Sequence, residues 1–317
     1  MSEPRLLFTA PHSFLPMTGA LFAGFDPVFL EAWTVDTLPL SDGFEFWVPN
    51  PGQHFVIDSD VLARFPALVA ISTPSTGTNH IDRATCMKHG VSVYSLLDDR
   101  RTLEDISASA EFTFLHVLNA LRRIDVAIGA VRAGEWRDDE DRFRGRELQG
   151  RRVGLVGIGR IGTRLARYFG AFGCAVSAYD PHRDCPEGVR PIPSLEELFE
   201  VSDVLVVCCS LTEETAGMIG ARLMSALPEG AIFVNTARGE VLREDEVVRL
   251  LRDRRDLVLA VDVISGEVDG SFSESPFFVA APSGTALVTP HIAGATTESQ
   301  SKAAQAAIGL LRRHHLA

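Results

Sequence analysis

Late in the chain, four polar side chains follow short apolar runs, and their types make a coherent chemistry. "AIFVNTARGE" delivers Arg238, "LVLAVDVISGEVDG" delivers Asp262 and, five residues later, Glu267, and "ALVTPHIAG" delivers His291. A histidine, which ionises near pH roughly 6.5, can take or give a proton at neutral pH. Arginine's planar fork can hold a carboxylate through two parallel hydrogen bonds and polarise a carbonyl. A carboxylate bonded to the histidine orients the ring and favours its protonated form. A base, a fixed cation and an orienting acid are what oxidation of a 2-hydroxy acid requires, because a proton leaves the hydroxyl while a hydride leaves the same carbon. Taken singly, each residue has a plainer reading: a surface arginine, a solvated loop acid, a histidine in a turn.

The hydride needs an acceptor, and "RRVGLVGIGRIGTRLARYFGAFGCAVSAYD" offers a place for one. Gly157, Gly159 and Gly162 have the G-x-G-x-x-G spacing between an apolar strand and a helix. The first glycine permits a tight turn, the second a close approach of pyrophosphate to the backbone, and the third close packing of helix on strand. The helix N-terminus adds free N–H groups and the positive end of its dipole. Asp180 ends the next strand, eighteen residues after the last glycine. A carboxylate there accepts hydrogen bonds from ribose hydroxyls and repels a 2′-phosphate, which predicts NAD rather than NADP; nearby Arg183 weakens that repulsion slightly.

Strands must carry these residues to one edge. From Pro4 to about Leu97, "RLLFTA", "FEFWVP", "LVAIST" and "VSVYSL" read as strands, with "DSDVLARF" and "HIDRATCMKHG" as helices between them. From Arg151 a second series follows: "RRVGLVG", "AVSAYD", "DVLVVCC", "AIFVNTA", "LVLAVDVI" and "ALVTPH". Alternation of strand and helix implies βαβ units and parallel sheets, and all-apolar runs fit strands covered on both faces. Open sheets of this kind place ligands beyond the carboxyl ends of their strands. The run Ala286–Val288 reads as one such buried strand, and Pro290 ends its ladder just before His291. Residues 102–136 lack proline and repeat apolar residues at helical spacing, which predicts one long connecting helix. The closing "TTESQSKAAQAAIGLLRRHHLA" predicts an amphipathic helix.

Composition bounds the function. The 317 residues suit two domains, and 46% hydrophobic with 23% charged residues is ordinary for a soluble globular protein. A net charge of -12 argues against nucleic acid or a membrane surface as the main partner. The five cysteines (Cys86, Cys174, Cys185, Cys208 and Cys209) are odd in number and form no CxxC pair, which predicts no metal centre and a reducing, cytoplasmic setting. Cys208 and Cys209, inside the apolar run "DVLVVCCSL", are expected to be buried, inert thiols. The start, "MSEPRLLFTAP", has no basic region followed by a long apolar core, so no signal peptide is expected.

With these residues in hand, the chain resembles the D-isomer-specific 2-hydroxyacid dehydrogenases over most of its length. "GLVGIGRIG", "NTARGEVL", "AVDVISGE" and "TPHIAGAT" are similar to that family's signatures in order and approximate spacing. "STGTNHIDRA" is similar to the substrate loop of its D-3-phosphoglycerate dehydrogenases. The resemblance implies an α/β fold of two doubly wound parallel-sheet domains. One is a flavodoxin-like substrate domain, residues 1–104 completed by a C-terminal helix over 294–317; the other is a Rossmann NAD-binding domain over 105–293. It implies Arg238, Glu267 and His291 as the catalytic set. NAD would be lined by the three glycines with Arg160, Ile161, Asp180, Thr236, Ala237, Arg238, Asp262, His291 and Gly294. Backbone amides around Thr76, Gly77 and Thr78 would hold the substrate carboxylate with Arg238, and a homodimer would form through the cofactor domain near 106–132.

Departures bear on the substrate. Cys208-Cys209-Ser210 stands where the family often has His-x-Pro, and "VPNPGQ" replaces a commoner Arg/Ser/Thr-rich turn, so phosphoglycerate-type recognition is not carried over. "LLDDRRTLED" brings Arg100 and Arg101, either as a solvated charge run or with one arginine, Arg100, binding a second anionic group such as phosphate or phosphonate. Two other readings keep the scaffold: a phosphite- or phosphonate-type donor, and an NAD-sensing co-repressor, which the acidic charge disfavours. Formate oxidation is disfavoured because that branch carries glutamine where Glu267 stands. Selectivity is expected from loops near 50–53, 75–79 and 98–104.

Overall fold

A computed structural model describes residues 3–15, 20–30, 34–39, 43–279 and 286–316. Met1, Ser2 and the last residue of the C-terminal segment, Ala317, lie outside the described residues. The chain divides into two compact units, one of Met1–Ile106, Glu267–Gly270 and Ala295–Ala317, the other of Ser107–Gly266 and Ser271–Gly294. Residues 267–270, within the span expected for cofactor binding, therefore group with the first unit.

The first unit holds β1 (Arg5–Phe8), β2 (Asp26–Phe29), β3 (Phe44–Val48), β4 (Ala70–Ser72) and β5 (Ser92–Tyr94), parallel in the order β2-β1-β3-β4-β5. This is the flavodoxin-like order. Alternate residues explain it. Leu6, Phe8, Phe46 and Val48 pack with Ala304, Ala307, Ile308 and Leu311 of the helix Thr297–His315, while Leu7, Trp47 and Ile71 pack with Ile57, Val61 and Phe65 on the other side. Both phases of the period-two pattern are apolar because both faces are covered. β2 has no counterpart in the sequence expectation: its "DPVF" contains a proline, which is tolerated because the strand lies at the sheet edge.

In the second unit, β6 (Arg152–Val156), β7 (Ala175–Tyr179), β8 (Arg190–Pro191), β9 (Val204–Val207), β10 (Ile232–Asn235), β11 (Val258–Val261) and β12 (Ala286–Val288) form one parallel sheet. Its order is β12-β11-β10-β9-β6-β7-β8, the Rossmann arrangement, with the switch point between β6 and β9. β9 and β10 are buried at every position, sending Val204, Val206, Ile232 and Val234 to one layer and Leu205, Val207 and Phe233 to the other. β12 corrects an expectation. It is half-buried rather than buried, because it is the edge strand.

The single long helix expected over 102–136 is also corrected. The chain forms Arg100–Glu104, Ala108–Arg122 and Ile124–Arg132, with Arg123 left-handed at φ 51° between the last two. Neither glycine nor proline marks the break. It comes from packing: the Arg146 N–H donates to the Leu121 carbonyl at 2.8 Å, and Gly145 lies so close to Leu121–Arg122 that a Cβ there would overlap the Leu121 oxygen. The incoming chain takes the acceptor that the next helical turn would use.

Candidate active site

The turn after β6 is shaped by missing side chains. Gly157 has φ +95°, and a Cβ on it would stand 3.0 Å from the Cys209 amide nitrogen after β9. A Cβ on Gly162 would overlap the Gly157 carbonyl oxygen. Gly159 differs: its φ is -68° and an added Cβ would meet nothing. Neither backbone nor neighbours demand glycine there, which fits a group approaching from outside. The helix Arg160–Ala171 begins at this point with no side-chain cap hydrogen bond, and a helix start of this kind suits an anion. Burial and the neighbouring Arg164 draw the Arg160 guanidinium below its ordinary range. Asp180 accepts from the Ile158 N–H and the His182 N–H, both at 2.9 Å, and each oxygen keeps a lone pair for a hydroxyl. These residues fit a dinucleotide pyrophosphate and its ribose. Burial pushes the Cys209 thiol up to about 11 and that of Cys208 further, so neither supplies a thiolate.

Beyond β10, Asn235 is fully buried and braces the next turn on both sides. Its Oδ1 accepts from the Ala237 N–H at 3.0 Å, and its Nδ2 donates to the Arg238 carbonyl at 2.9 Å. Gly239 follows so tightly against Ile264 and Ser265 that a Cβ would overlap their backbone. Arg238, half-buried, is thereby held with its Nη1 on the Ala237 carbonyl at 2.6 Å. The Thr236 hydroxyl lies 2.6 Å from that of Thr113, which donates to the Ser109 carbonyl. Thr236 is therefore the donor of that pair, and its hydroxyl proton is committed within the protein.

The turn after β12 rests on a buried acid. Asp262 is 0% exposed. Its carboxylate accepts from the Thr289 hydroxyl at 2.5 Å, the Ile292 N–H at 3.0 Å and the Ala293 N–H at 2.7 Å, while its backbone carbonyl accepts from the His291 N–H at 2.7 Å. The geometry places the Asp262 side chain beneath the turn, where it anchors both sides of His291. His291 itself is exposed and left-handed at φ 51°, a conformation uncommon outside glycine. The Gly294 Cα lies near the Ser109 hydroxyl, 3.7 Å from where a Cβ would stand.

In the first unit, the loop after β4 presents unpaired donors. Ser75 donates to the Gly77 carbonyl at 2.7 Å, and the Ile81 N–H donates to the Thr78 carbonyl at 2.9 Å. Among the described residues, none accepts from the backbone N–H groups of Thr76, Gly77 and Thr78. Behind them Thr73 lies 2.9 Å from the Ser75 hydroxyl and 3.1 Å from Nε2 of the buried His80. Arg100 is exposed on the helix Arg100–Glu104. Glu267 is half-buried, and its carbonyl accepts from His54 Nδ1 at 2.9 Å. Among the described residues no cluster could hold a metal, and no helix is long and apolar enough to cross a membrane.

Residues 114–293 match the D-isomer specific 2-hydroxyacid dehydrogenase NAD binding domain. A glyoxylate/hydroxypyruvate reductase of Arabidopsis thaliana is 31% identical over 98% of this chain and 93% of its own. The chain belongs to the D-isomer specific 2-hydroxyacid dehydrogenase family. It is an NAD-dependent D-2-hydroxyacid dehydrogenase. A solved D-lactate dehydrogenase of Aquifex aeolicus, complexed with NAD and lactic acid, superimposes with a TM-score of 0.79 at 27% identity over 97% of this chain and 94% of that one. D-3-phosphoglycerate dehydrogenase of Mycobacterium tuberculosis is 31% identical over 78% of this chain but only 45% of its own length.

Several residues that shape the dehydrogenase's turns were not foreseen: Asn235, Thr113, His116 and Glu244. Glu244 is buried and accepts from the Ser265 N–H and the Ser275 hydroxyl, each at 2.6 Å; burial raises it above the usual carboxylate range. The available signal was a polar residue inside an otherwise apolar run, as in "FTFLHVLNAL".

Proposed function

We propose that this dehydrogenase transfers a hydride between nicotinamide and C2 of a small D-2-hydroxy acid or 2-oxo acid, with His291 as the acid/base. In oxidation the hydroxyl proton passes to His291 while the hydride leaves C2 and the carbonyl forms; reduction runs the same steps backwards. NAD supplies the hydride acceptor, and NADH the donor. Arg238 binds the substrate carboxylate and polarises the carbonyl, since a braced guanidinium keeps its fork pre-aimed. Glu267 orients and tunes the histidine. The amides of Thr76, Gly77 and Thr78, which have no acceptor among the described residues, also bind the substrate carboxylate. The observation that carries this reading is the pairing, at one sheet edge, of a half-buried arginine fixed by Asn235 with a left-handed histidine anchored by Asp262.

The same proposal takes residues 1–104 with 294–317 as the substrate domain and 105–293 as the cofactor domain. It places the enzyme in the cytoplasm, in keeping with free cysteines. It also makes the enzyme a homodimer through the exposed Ile124, Ile128 and Val131 of the helix Ile124–Arg132. The similarity to a glyoxylate/hydroxypyruvate reductase sets the first substrates. NADH oxidation with glyoxylate, hydroxypyruvate, pyruvate and 3-phosphohydroxypyruvate, and NAD reduction with phosphite, forms the decisive panel. Turnover of a small 2-oxo acid is the expected result. Activity with phosphite alone would replace the substrate class, and no turnover with any member would overturn the catalytic reading.

A further inference from the structure

The helix Ala108–Arg122 is apolar along most of its buried face, yet Ser109, Thr113 and His116 recur on one side at i, i+4 and i+7. Thr113 reaches the turn that carries Arg238, through Thr236. His116 reaches the turn that carries His291: its Nε2 lies 2.9 Å from the Thr289 hydroxyl. The hydrogen-bond direction follows from counting protons. The Thr289 hydroxyl has one proton, and the Asp262 carboxylate, 2.5 Å away, takes it. The hydroxyl must therefore accept from His116, which fixes the Nε2–H tautomer.

We propose that His116 is a positioning residue for the reaction: through Thr289 and Asp262 it fixes the Thr289–Ala293 turn and so the aim of His291. The inference rests on the reading of His291 as the acid/base.

Packing alone gives no reason for a histidine here. His116 is 1% exposed, sits against the Phe112 ring at 4.6 Å between centroids, and leaves its Nδ1 buried without a hydrogen-bond partner among the described residues. A leucine would fill the space without desolvating an imidazole. Burial also pushes His116 below the ordinary histidine range, with Asp262 opposing only in part, so the neutral donor form is the one present. What the histidine supplies is a donor that stops the Thr289 hydroxyl from rotating. That hydroxyl then points its proton at Asp262, whose remaining acceptor capacity is aimed at the amides of Ile292 and Ala293. A residue at φ 51° is held there only while the groups on either side over-determine it. Loss of the first donor loosens the chain at its far end, and a small misdirection of an acid/base has a large effect on rate.

The test compares His116→Leu, His116→Gln, Thr289→Val, Thr289→Ser and the double variant His116→Leu/Thr289→Val in the full chain. For each, kcat with glyoxylate (or whichever 2-oxo acid turns over), the NADH Kd by fluorescence and Tm are measured. His116→Leu and Thr289→Val should each lose about tenfold in kcat while the NADH Kd stays within about twofold. Glutamine, which can present an N–H near the Nε2 position, and serine, which keeps the hydroxyl, should recover to within about threefold. The double variant should lose no more than Thr289→Val alone, because both changes break one chain of bonds. Wild-type kcat in His116→Leu overturns the proposal, as does a double variant whose losses multiply. If His116→Leu does not fold, Thr289→Val against Thr289→Ser decides, and equal kcat values overturn it. His291→Ala separates the two levels: if it keeps turnover, the reading of His291 fails. If it is inactive while His116→Leu is fully active, only the positioning role fails.

Discussion

The turns at Gly157–Gly162 and Thr289–Ala293 lie at the carboxyl edge of one sheet and are built in opposite ways. The first is defined by atoms that are absent: Gly157 and Gly162 leave room that a single methyl group would fill with a clash, and Gly159 leaves space open to an incoming group. The second is defined by atoms that are present: a buried carboxylate and a hydroxyl from separate strand ends, and an imidazole from a helix, joined by hydrogen bonds. The first kind tolerates no addition at Gly157 or Gly162, and the second kind no removal. The first has a signature within six residues of sequence, whereas the second gathers residues 116, 262 and 289.

Variants can break this contrast, in order of expected effect. His291→Ala should lose roughly 10²–10⁴-fold in kcat, the usual worth of a positioned acid/base, while still binding NADH because the glycine turn is untouched. Loss of NADH binding in that variant would mean the two turns are not separate devices. Gly162→Ala should do the reverse. The added methyl displaces the Gly157 carbonyl, so NADH affinity should fall by about tenfold or more, with Tm lowered by overpacking of about 1–3 kcal/mol. Its kcat at saturating NADH should be the less affected parameter. Asp180→Ala removes both the hydrogen bonds to ribose and the repulsion of a 2′-phosphate. The ratio of kcat/KM for NADH over NADPH should narrow by about tenfold, and equal use of both cofactors by the unmodified enzyme would sink the assignment.

The smallest effect is on stability. His116 binds its proton less readily in the folded chain than in the unfolded one, because burial outweighs the pull of Asp262, the charged group it faces. As pH falls through about 6.5 the unfolded chain takes up a proton that the native state refuses, so stability falls; above that range both are neutral and the contribution vanishes. The decline in Tm between pH 7.5 and 5.5 should therefore be shallower in His116→Leu than in the unmodified enzyme. An unchanged slope would show that His116 binds its proton as readily in the folded chain as in the unfolded one.

The parts of the fold with local signals were legible. Among the described residues, six of the seven strands of the second unit stand out as apolar runs, β9 at every position, because a parallel sheet covered on both faces draws apolar residues to both. The exception is β8, two residues long and ending in Pro191, which at a sheet edge makes too few contacts to leave a pattern. β2, four residues with a proline, also lies at a sheet edge and left no pattern. The helix break at Arg123 was illegible for a different reason: its cause, Gly145 and Arg146, lies more than twenty residues downstream.

The sequence by itself determined the two βα series, the nucleotide turn with its terminal acid, and the order in which Arg238, Glu267 and His291 arrive. Each of these follows from local periodicity, from glycine's freedom, or from a strand ending where a polar side chain begins. Only the tertiary structure decided what holds those residues in place. It assigned Asn235 to the arginine's turn and Asp262 to the histidine's, and it set one helix beneath both turns through Thr113 and His116. The physical reason is that a hydrogen bond between residues far apart in sequence leaves no trace in the spacing of either. A buried polar group finds its partner only when the sheet order and the helix packing have brought the two together.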